Sequence, residues 1–560
     1  MNNNLSGESI ELLRYLMKNK DTEDFSSYFS ASTICHRIGN VKVTEINPLL
    51  KELVEAEAII PSVEFFRAPK FILNTDKGRK ILEAIEEENT IYTQEYRDAL
   101  EEEIKKYKKF IITTAVIGKN INKEFADSLR NYAKRNEALL LVLPCEDVVS
   151  RGKKAQKTLE ISPDLSDFRV VFKDTYINQN LCLCAIKVSA KQINPLTGLD
   201  RLPVQRHASI IMASPKVFLK YIPNMHYDIP PAIMTTGAIT VNNYDTDMYM
   251  SKRTSTLAEG DHTYGAIVVE VENDKIFHFR QLKASPYNSV TDIGIDYLPD
   301  GSVKPVNDVA MVMGDSHTGY HDRELHDITM KLALQSGVTS IFLHDVFNGT
   351  SITHHDVGKG ITRAKKAQEN KLGLEMECYA VRNYINNIQL HDMDVYIVKS
   401  NHDNHLLRYL EEGRYIGDPA NYKISTKLAS AAVEGLDPLQ YAIEDILQYK
   451  NDRVHWLEED SSHRVYGVEV GIHGDRGSNG SKGSLAIFEK SLGNCVTAHT
   501  HSAAIIRDAF CVGTVGLMDQ GYNKGLSSWT RTCCLIYPNG TKQLINFMPN
   551  YRGEYTYTNS

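Results

Sequence analysis

The chain has 560 residues, of which 42% are hydrophobic and 24% are charged, and 71 acidic against 63 basic side chains give a formal net charge of −8. This composition excludes a largely disordered or collagen-like protein, and the acidic balance gives no global case for nucleic-acid binding. At about 150 residues per domain, the length predicts three or four domains.

Targeting and redox signals are sparse. No apolar run approaches the roughly 18 residues that a membrane helix needs, and no secretory signal is visible. The nine cysteines are scattered along the chain, which favours buried free thiols over a disulfide framework. We therefore expect a protein of a reducing cytoplasm, without a membrane segment.

Residues 1–90 show the order helix, helix, helix, hairpin, helix that is typical of a winged-helix-like module. Ile59–Val63 and Lys70–Leu73 are the expected hairpin strands. The third helix carries Glu45 and Glu52, which are poor groups for contacting phosphates. A protein–protein or structural role is therefore at least as well supported as DNA reading.

Residues 91–304 are predicted to form a charge-dense connecting helix followed by an α/β and β-rich middle domain. Phe110–Ile117 and Ala138–Leu143 are apolar, strand-like runs on either side of the amphipathic stretch Lys123–Arg135. This strand–helix–strand pattern predicts parallel pairing. The sequence from about Val170 onward favours further strands and contains no motif that carries chemistry.

Beyond residue 305, five strand-like runs each end in residues that can bind a metal ion. The runs are Val309–Met313, Thr339–Leu343, Val395–Val398, Val465–Ile472 and Cys495–Ala498. The candidates that follow them are, in the same order, Asp315 with His317, Asp345, Asn401, His473, and His499 with His501. Open α/β sheets bind ligands at the carboxyl ends of their strands. Asp, Asn and His without Cys suit borderline divalent ions.

These residues resemble the signature of the calcineurin-like metallophosphoesterases. The resemblance rests on the series Asp315-x-His317, Asp345, Asn401-His402-Asp403, His473 and His499-x-His501. It implies a multidomain α/β protein in which residues 305–560 form a β-sandwich flanked by helices. The chain departs from the family pattern at three positions where the family has glycine, namely His344, Ser400 and Ala498.

The resemblance implies a centre of two divalent metal ions, Mn²⁺ being favoured over Fe, Zn or Mg. The expected ligands are Asp315, His317 and His501 for one ion and Asn401, His473 and His499 for the other, with Asp345 as the bridge. His402 resembles the non-ligand histidine that protonates the leaving group or stabilises the transition state. Asp403 is expected to orient His402 through a ring N–H.

A further likeness to long tailed-phage members of this family extends over most of residues 109–550. It is carried by stretches such as Ile193–Gly198, Tyr264–Glu270 and Tyr522–Trp529. Those members include nucleases that degrade host DNA. The likeness implies a phage-encoded nuclease that acts early, in the host cytoplasm.

Several basic or imidazole side chains near the motifs are candidate substrate contacts. Lys365 and Lys366 lie in a basic stretch, and Arg476 and Lys482 flank a glycine-rich loop after His473. Solvated surface charges explain these positions about as well. His354 and His355 follow the second motif and either contact substrate or are surface-loop histidines.

Three functions remain open from the sequence. The leading prediction is an Mn²⁺-dependent two-metal phosphodiesterase that hydrolyses DNA, favoured by the about 300 residues before the catalytic region. The second is a phosphatase or nucleotidase for small or protein-bound phosphoesters. The third is a non-enzymatic binding platform with structural metals. The acidic net charge weighs against DNA, and a homo-oligomer that gathers the basic loops would resolve this conflict.

Overall fold

The computed structural model describes residues 5–21, 25, 29–38, 42–61, 70–79, 81, 94–147, 161–225, 229–244, 251–459, 461–521, 523–550 and 552–558. The chain forms two compact units, Met1–Glu102 and Glu103–Ser560. Among the described residues, no helix is both long and apolar enough to cross a bilayer. All nine cysteines fall in described segments and are free thiols, and eight of them are buried, as predicted.

The first unit combines short helices with a small antiparallel sheet. Its elements are α1 (Gly7–Lys18), β1 (Phe29–Ser30), α2 (Ala31–Ile38), α3 (Val43–Glu55), β2 (Ile59–Pro61) and β3 (Lys70–Leu73), and the sheet order is β1-β3-β2. Ser6 caps α1 by accepting a hydrogen bond from the Ser9 amide. Glu52 accepts hydrogen bonds from the Ser6 amide and hydroxyl, both at 2.8 Å. The three predicted helices and the antiparallel pair are present, whereas residues 62–69 of the hairpin and residues 82–85 of the closing helix lie outside the described residues. The winged-helix interpretation stays a prediction.

Helix α4 (Gln94–Ile104) crosses from the first unit into the second. The other helices of the second unit are α5 (Lys123–Asn136), α6 (Leu202–Arg206), α7 (Ser251–Gly260), α8 (Arg323–Gln335), α9 (Gly360–Gln368), α10 (Leu374–Gln389), α11 (Asp403–Glu411), α12 (Tyr422–Val433), α13 (Pro438–Tyr441) and α14 (Leu485–Leu492).

The strands of the second unit form several sheets. They are β4 (Lys109–Val116), β5 (Ala138–Cys145), β6 (Arg169–Val170), β7 (Thr175–Asn178), β8 (Leu181–Cys184), β9 (Ser209–Met212), β10 (Phe218–Tyr221), β11 (Asn224–Met225), β12 (Ala232–Thr235), β13 (Gly265–Val271), β14 (Phe277–Lys283), β15 (Val290–Asp292), β16 (Ile295–Tyr297), β17 (Val303–Pro305), β18 (Val309–Val312), β19 (Val338–Leu343), β20 (Asp394–Val398), β21 (Val454–Leu457), β22 (Arg464–Val465), β23 (Val468–Glu469), β24 (Cys495–Thr497), β25 (Ala504–Ile506), β26 (Ala509–Cys511), β27 (Leu526–Ser527), β28 (Thr532–Ile536), β29 (Lys542–Asn546), β30 (Met548–Pro549) and β31 (Tyr555–Thr556).

The predicted strand–helix–strand unit is confirmed as β4, α5 and β5. The two strands are parallel along their whole length, and they lie in a five-stranded sheet of order β14-β13-β4-β5-β6. Asn122 caps α5 by accepting a hydrogen bond from the Phe125 amide. Arg280 of β14 is buried and bonds Asp292 and Glu270, which ties β13, β14 and β15 together.

The six-stranded sheet positions half of the candidate site. Its order is β21-β20-β19-β18-β28-β29, and β18 to β21 are parallel neighbours. Their carboxyl ends therefore lie on one edge of the sheet. Helices α8, α10 and α12 cover one face, where Leu325, Val381 and Leu428 share a core with Met311 and Ile341.

A ten-stranded sheet holds the other half of the site. Its order is β22-β23-β24-β26-β25-β10-β12-β9-β8-β7, so strands from before and after residue 305 share one sheet. The junction is the antiparallel pair β10–β25, in which Leu219 faces Ile505. Residues on both sides of the predicted boundary between 304 and 305 thus pair in one sheet and lie in one compact unit.

One predicted strand is a hairpin. The sequence favours a single strand over Val465–Ile472, whereas the structure has β22 and β23 paired antiparallel. Tyr466 and Gly467 between them have φ values of 50° and 81°, the left-handed pair that a two-residue hairpin turn requires. The mixed α/β class agrees with the prediction, and the specific metallophosphoesterase sandwich remains a prediction.

Candidate metal centre

The seven predicted metal ligands meet between strand ends of the two large sheets. Asp315 and His317 follow β18, Asp345 follows β19 and Asn401 follows β20, while His473 follows β23 and His499 and His501 follow β24. Five of them are buried and two, Asn401 and His499, are half-buried. The topology therefore brings together residues that are up to 186 positions apart, from Asp315 to His501.

Four of these residues form one compact cluster. The ligand atoms of Asp315, His317, Asp345 and His501 all lie within 4.8 Å of one another. The Nε2 atom of His501 is 2.9 Å from Nε2 of His317 and 3.1 Å from Oδ2 of Asp315. Nε2 of His317 is 3.6 Å from Oδ2 of Asp345. Donor atoms that each bind one Zn-like ion at about 2.0–2.2 Å would lie at comparable distances from one another.

The remaining ligands gather around the other oxygen of Asp345. Oδ1 of Asn401 is 3.0 Å from Nε2 of His473 and 3.1 Å from Nδ1 of His499. Nε2 of His473 is in turn 3.4 Å from Oδ1 of Asp345. Asp345 thus turns one carboxylate oxygen toward each group, as a bridging ligand would.

The unpaired carboxylates test whether a metal fits. Both carboxylate oxygens of Asp315 and Oδ1 of Asp345 are buried without a hydrogen-bond partner. An unpaired buried carboxylate is costly, and a bound divalent cation would remove that cost. The donor set of carboxylate, amide and imidazole groups fits borderline divalent ions.

The histidine protonation states agree with metal binding, whereas Asp315 has to lose a proton before it can bind an ion. Burial and the neighbouring Asp345 raise the pKa of Asp315 well above its ordinary value. Burial acts in the same direction on Asp345, but His473, His402 and His317 together lower its pKa well below the ordinary value. Burial also lowers the pKa of His317 to about 3 and that of His501 to about 4. Neutral imidazoles keep the lone pair that a metal needs.

Contacts with Gly513 and Thr514, which follow β26, fix the loop that carries Asp315. A Cβ on Gly314 would come within 2.9 Å of the carbonyl carbon and oxygen of Gly513, so only glycine fits there. The Asp315 amide donates to the Gly513 carbonyl at 3.1 Å, and the Thr514 hydroxyl donates to the Asp315 carbonyl at 2.8 Å. The backbone of Asp315, which follows β18, is thus held by the residues that follow β26.

Asn348 supports two site histidines. Its only distinguishing feature in the sequence is its place three residues after Asp345. Its side-chain oxygen lies 2.9 Å from Nδ1 of His317. Its backbone carbonyl lies 3.0 Å from Nδ1 of His402, which fixes that ring nitrogen as a donor. The rings of His317 and His402 meet edge to face at 4.8 Å.

Asp403 does not play the part predicted for it. Its Oδ2 accepts the Ser400 amide at 2.9 Å, and its Oδ1 has no hydrogen-bond partner. Burial raises the pKa of Asp403 to about 7 against the opposing charge of Lys399. Asp403 therefore shapes the loop that carries Asn401, while the Asn348 carbonyl orients His402.

His344, one of the departures from the family pattern, contributes a polar group behind a ligand. It is completely buried, and its Nδ1 is 3.3 Å from Nδ1 of His473. That contact leaves Nε2 of His473 facing Asn401 and Asp345. Such support of a ligating histidine by a second polar group orients the ring.

A cleft of about 870 Å³ opens over the centre and brings two predicted substrate contacts together. Lys365 and Lys366 both line it. Lys365 is exposed, whereas Nζ of Lys366 lies 2.5 Å from Asp356 and donates to the Thr350 carbonyl at 3.0 Å. The cleft also contains Trp529, whose ring meets His501 at 4.2 Å and which the sequence did not single out chemically.

Arg476 and Lys482 do not line this cleft. They face each other across a short antiparallel bridge, and Lys482 is exposed. Arg476 pairs with Glu459 at 2.9 Å. Their predicted role as phosphate contacts therefore lacks support from their position.

Comparison with known proteins gives one informative match. The chain is 28% identical over 467 residues to Protein A1 of Escherichia phage T5, an alignment that spans 80% of this chain and 83% of that protein. No family model matches the chain, and no solved structure matches it. Over most of its length, this chain is thus similar to a phage protein.

Proposed function

We propose that this protein is an Mn²⁺-dependent two-metal phosphodiesterase that hydrolyses DNA. The observation that carries the proposal is the convergence of seven ligand residues around carboxylate oxygens that have no partner of their own. The similarity to a phage T5 protein supports a phage setting and therefore action in a host cytoplasm.

Different residues of the chain would bind the metal ions and donate the proton. Asp315, His317 and His501 would hold one ion, and Asn401, His473 and His499 the other, with Asp345 between them. When bound, two such ions ionise a water and offset the negative charge of the transition state. His402 lies beside the ligands with Nδ1 held as a donor to the Asn348 carbonyl, so a doubly protonated His402 would give the proton on its Nε2 to the departing oxygen.

The shape and charge of the cleft support a polymeric substrate. It extends past the ligands to helix α9, where Lys365 is exposed on its wall. A cation away from the metals would contact a phosphate other than the one that is cleaved. Trp529 offers an aromatic surface in the same cleft, of the kind on which nucleobases stack. Self-association, which would gather several such surfaces despite the net charge of −8, belongs to the same proposal.

A small phosphoester is the second candidate substrate. The observation that favours it is the pairing of two predicted phosphate contacts, since Lys366 bonds Asp356 and Arg476 bonds Glu459. Fewer free cations around the cleft would suit a substrate that the metals alone can hold.

The test compares substrates, metals and one variant. Purified full-length chain is assayed on plasmid, linear duplex and single-stranded DNA and on p-nitrophenyl phosphate, each with Mn²⁺, Mg²⁺ or chelator. The variant is Asp345→Asn, because Asn tolerates the left-handed backbone at this position (φ 47°) and removes only the bridging charge. We expect Mn²⁺-dependent DNA cleavage that chelator abolishes and that the variant lowers by more than about 100-fold, since loss of a group that merely supports a ligand already costs 10- to 100-fold.

Asp452→Ala is the matched control, because Asp452 is exposed and lies outside the cleft. It should keep wild-type activity. Hydrolysis of p-nitrophenyl phosphate without any DNA cleavage would replace the proposal by the phosphatase. Near-normal activity of Asp345→Asn would show that Asp345 does not bridge two ions.

A further inference from the structure

Three histidines form a second cluster on the wall of the same cleft. His354 and His355 lie in a 3₁₀ turn over His354–Asp356, and His405 lies in the first turn of α11. One nitrogen from each residue lies within 4.8 Å of the other two. None of the three belongs to the ligand set of the metal centre described above.

The ring of His405 meets the other two rings edge to face, whereas the rings of His354 and His355 are tilted against each other. Ring centroids are 3.9 Å apart for His354 and His355 and 5.1 Å apart for His354 and His405. Nδ1 of His354 and Nδ1 of His405 are both buried and have no hydrogen-bond partner. Buried nitrogens without a partner are costly, and a bound ligand would remove that cost.

The surroundings hold the three rings in place. The Thr353 hydroxyl accepts the His355 amide at 3.3 Å, which fixes the turn. A Cβ on Gly349 would lie only 3.3 Å from Cβ and Nδ1 of His405, so this glycine allows the close approach of the two segments. The arrangement is therefore built from two separate parts of the chain.

The ring nitrogens are available as donors close to two arginines. Arg408 and Arg414 lie near the cluster and share Glu412, at 2.6 and 2.8 Å, which offsets part of their charge. Burial and the neighbouring imidazoles lower the pKa of His405 to about 3, so its lone pair is available at neutral pH. Three neutral imidazoles are the donor set preferred by Zn²⁺ and its borderline neighbours, not by Mg²⁺ or Ca²⁺.

We propose that His354, His355 and His405 bind a third divalent ion of the Zn²⁺ class, separate from the two-metal centre. Nitrogen ligands of a tetrahedral zinc ion lie about 3.3 Å apart, given bonds of about 2.0–2.1 Å. The three nitrogens lie within 4.8 Å of one another, and the exposed His355 ring is the one with room to turn toward the other two. Because His355 and His405 both line the cleft, an ion held there would lie beside the substrate space.

The test measures bound metal on the full-length chain, so it does not depend on any activity. Chelator-stripped protein is dialysed against micromolar free Zn²⁺, and bound zinc per chain is counted by mass spectrometry. The variant is His354→Gln with His355→Gln, and the matched control is His391→Gln, an exposed histidine outside the cleft. We expect the double variant to bind one zinc fewer than wild type and the control to bind the same number as wild type.

A second variant, His405→Gln, approaches the site from the other segment and should also lose one equivalent. Thermal melts without metal show whether each variant is folded. Folded variants that bind as much zinc as wild type overturn the proposal. The zinc lost between wild type and the histidine variants is the same however many ions wild type binds in all. A failure of the two-metal proposal would therefore be seen separately. Wild type would then bind little zinc in total, and Asp345→Asn would bind as much as wild type.

Discussion

Four of the proposed ligands sit on backbones that their residue types seldom adopt. His317, Asp345, His499 and His501 have φ values of 44°, 47°, 69° and 56°. A left-handed backbone at residues other than glycine costs of order 1–3 kcal/mol at each position and persists where the surrounding structure enforces it. Strained backbone of this kind is concentrated at functional sites, and here all four strained residues are proposed ligands of the metal centre.

His402 allows binding and chemistry to be separated. It is not a proposed ligand, so His402→Ala should leave the bound metal per chain unchanged. Loss of a general acid lowers rates by about 10²–10⁴-fold, and we expect a fall of this size for DNA cleavage. A small diester with a p-nitrophenolate leaving group needs less protonation, so its rate should fall much less. Metal analysis and the two rates check this prediction.

Asp403→Asn is the comparison for that experiment. Because Asp403 bonds the Ser400 amide and not His402, this change should lower thermal stability without selecting between leaving groups. Equal losses on both substrates for His402→Ala would contradict a role in protonation. Loss of metal from His402→Ala would mean that His402 helps to hold an ion.

At the scale of the elements, the parallel strands and their terminal ligands could be read from the sequence. Apolar runs such as Thr339–Leu343 match β19 closely, and the position of Asp345 at its end follows from chain order alone. The side-chain partners could not be read in this way. That Asn348, not Asp403, orients His402 depends on a loop path that leaves no periodic pattern.

Helix α9 carries the test of a polymeric substrate. Lys365→Gln should flatten the salt dependence of DNA binding, because each duplex phosphate contact contributes about 0.9 log unit per log unit of salt. Lys366→Gln should mainly lower stability, since Lys366 already bonds Asp356 and the Thr350 carbonyl. Binding titrations at several salt concentrations give the slopes.

Lys427→Gln is the control for that series, because Lys427 is exposed on α12 and does not line the cleft. Its slope should equal that of wild type. Hydrolysis of a small diester should change little in Lys365→Gln, because the metal ligands are untouched. A wild-type slope in Lys365→Gln would show that this lysine contacts no phosphate.

At the scale of the whole molecule, the ten-stranded sheet was beyond sequence reasoning. The pairing of Leu219 with Ile505 joins residues 286 positions apart, and local propensity says nothing about such a register. Cys495–Ala498 was identifiable as a strand, but its neighbours in the sheet were not. The boundary predicted at residue 305 follows a change in chemistry along the chain, whereas strand pairing in the folded protein crosses it.

This architecture predicts which fragments fold. A fragment of residues 94–560 keeps helix α4 whole, together with the 2.7 Å ion pair between Glu103 and Arg169 and every proposed ligand. It should melt cooperatively and bind as much metal as the full chain.

A fragment of residues 305–560 exposes the edge of β25 that β10 covers and loses the 2.8 Å hydrogen bond from Tyr221 to Asn546. Because an uncovered edge strand invites aggregation, we expect this fragment to aggregate or to melt without cooperativity, with His473, His499 and His501 no longer held in place. Calorimetry and metal analysis of both fragments decide the matter: a 305–560 fragment that melts cooperatively and binds metal like the full chain would show that the strands before residue 305 do not support the centre.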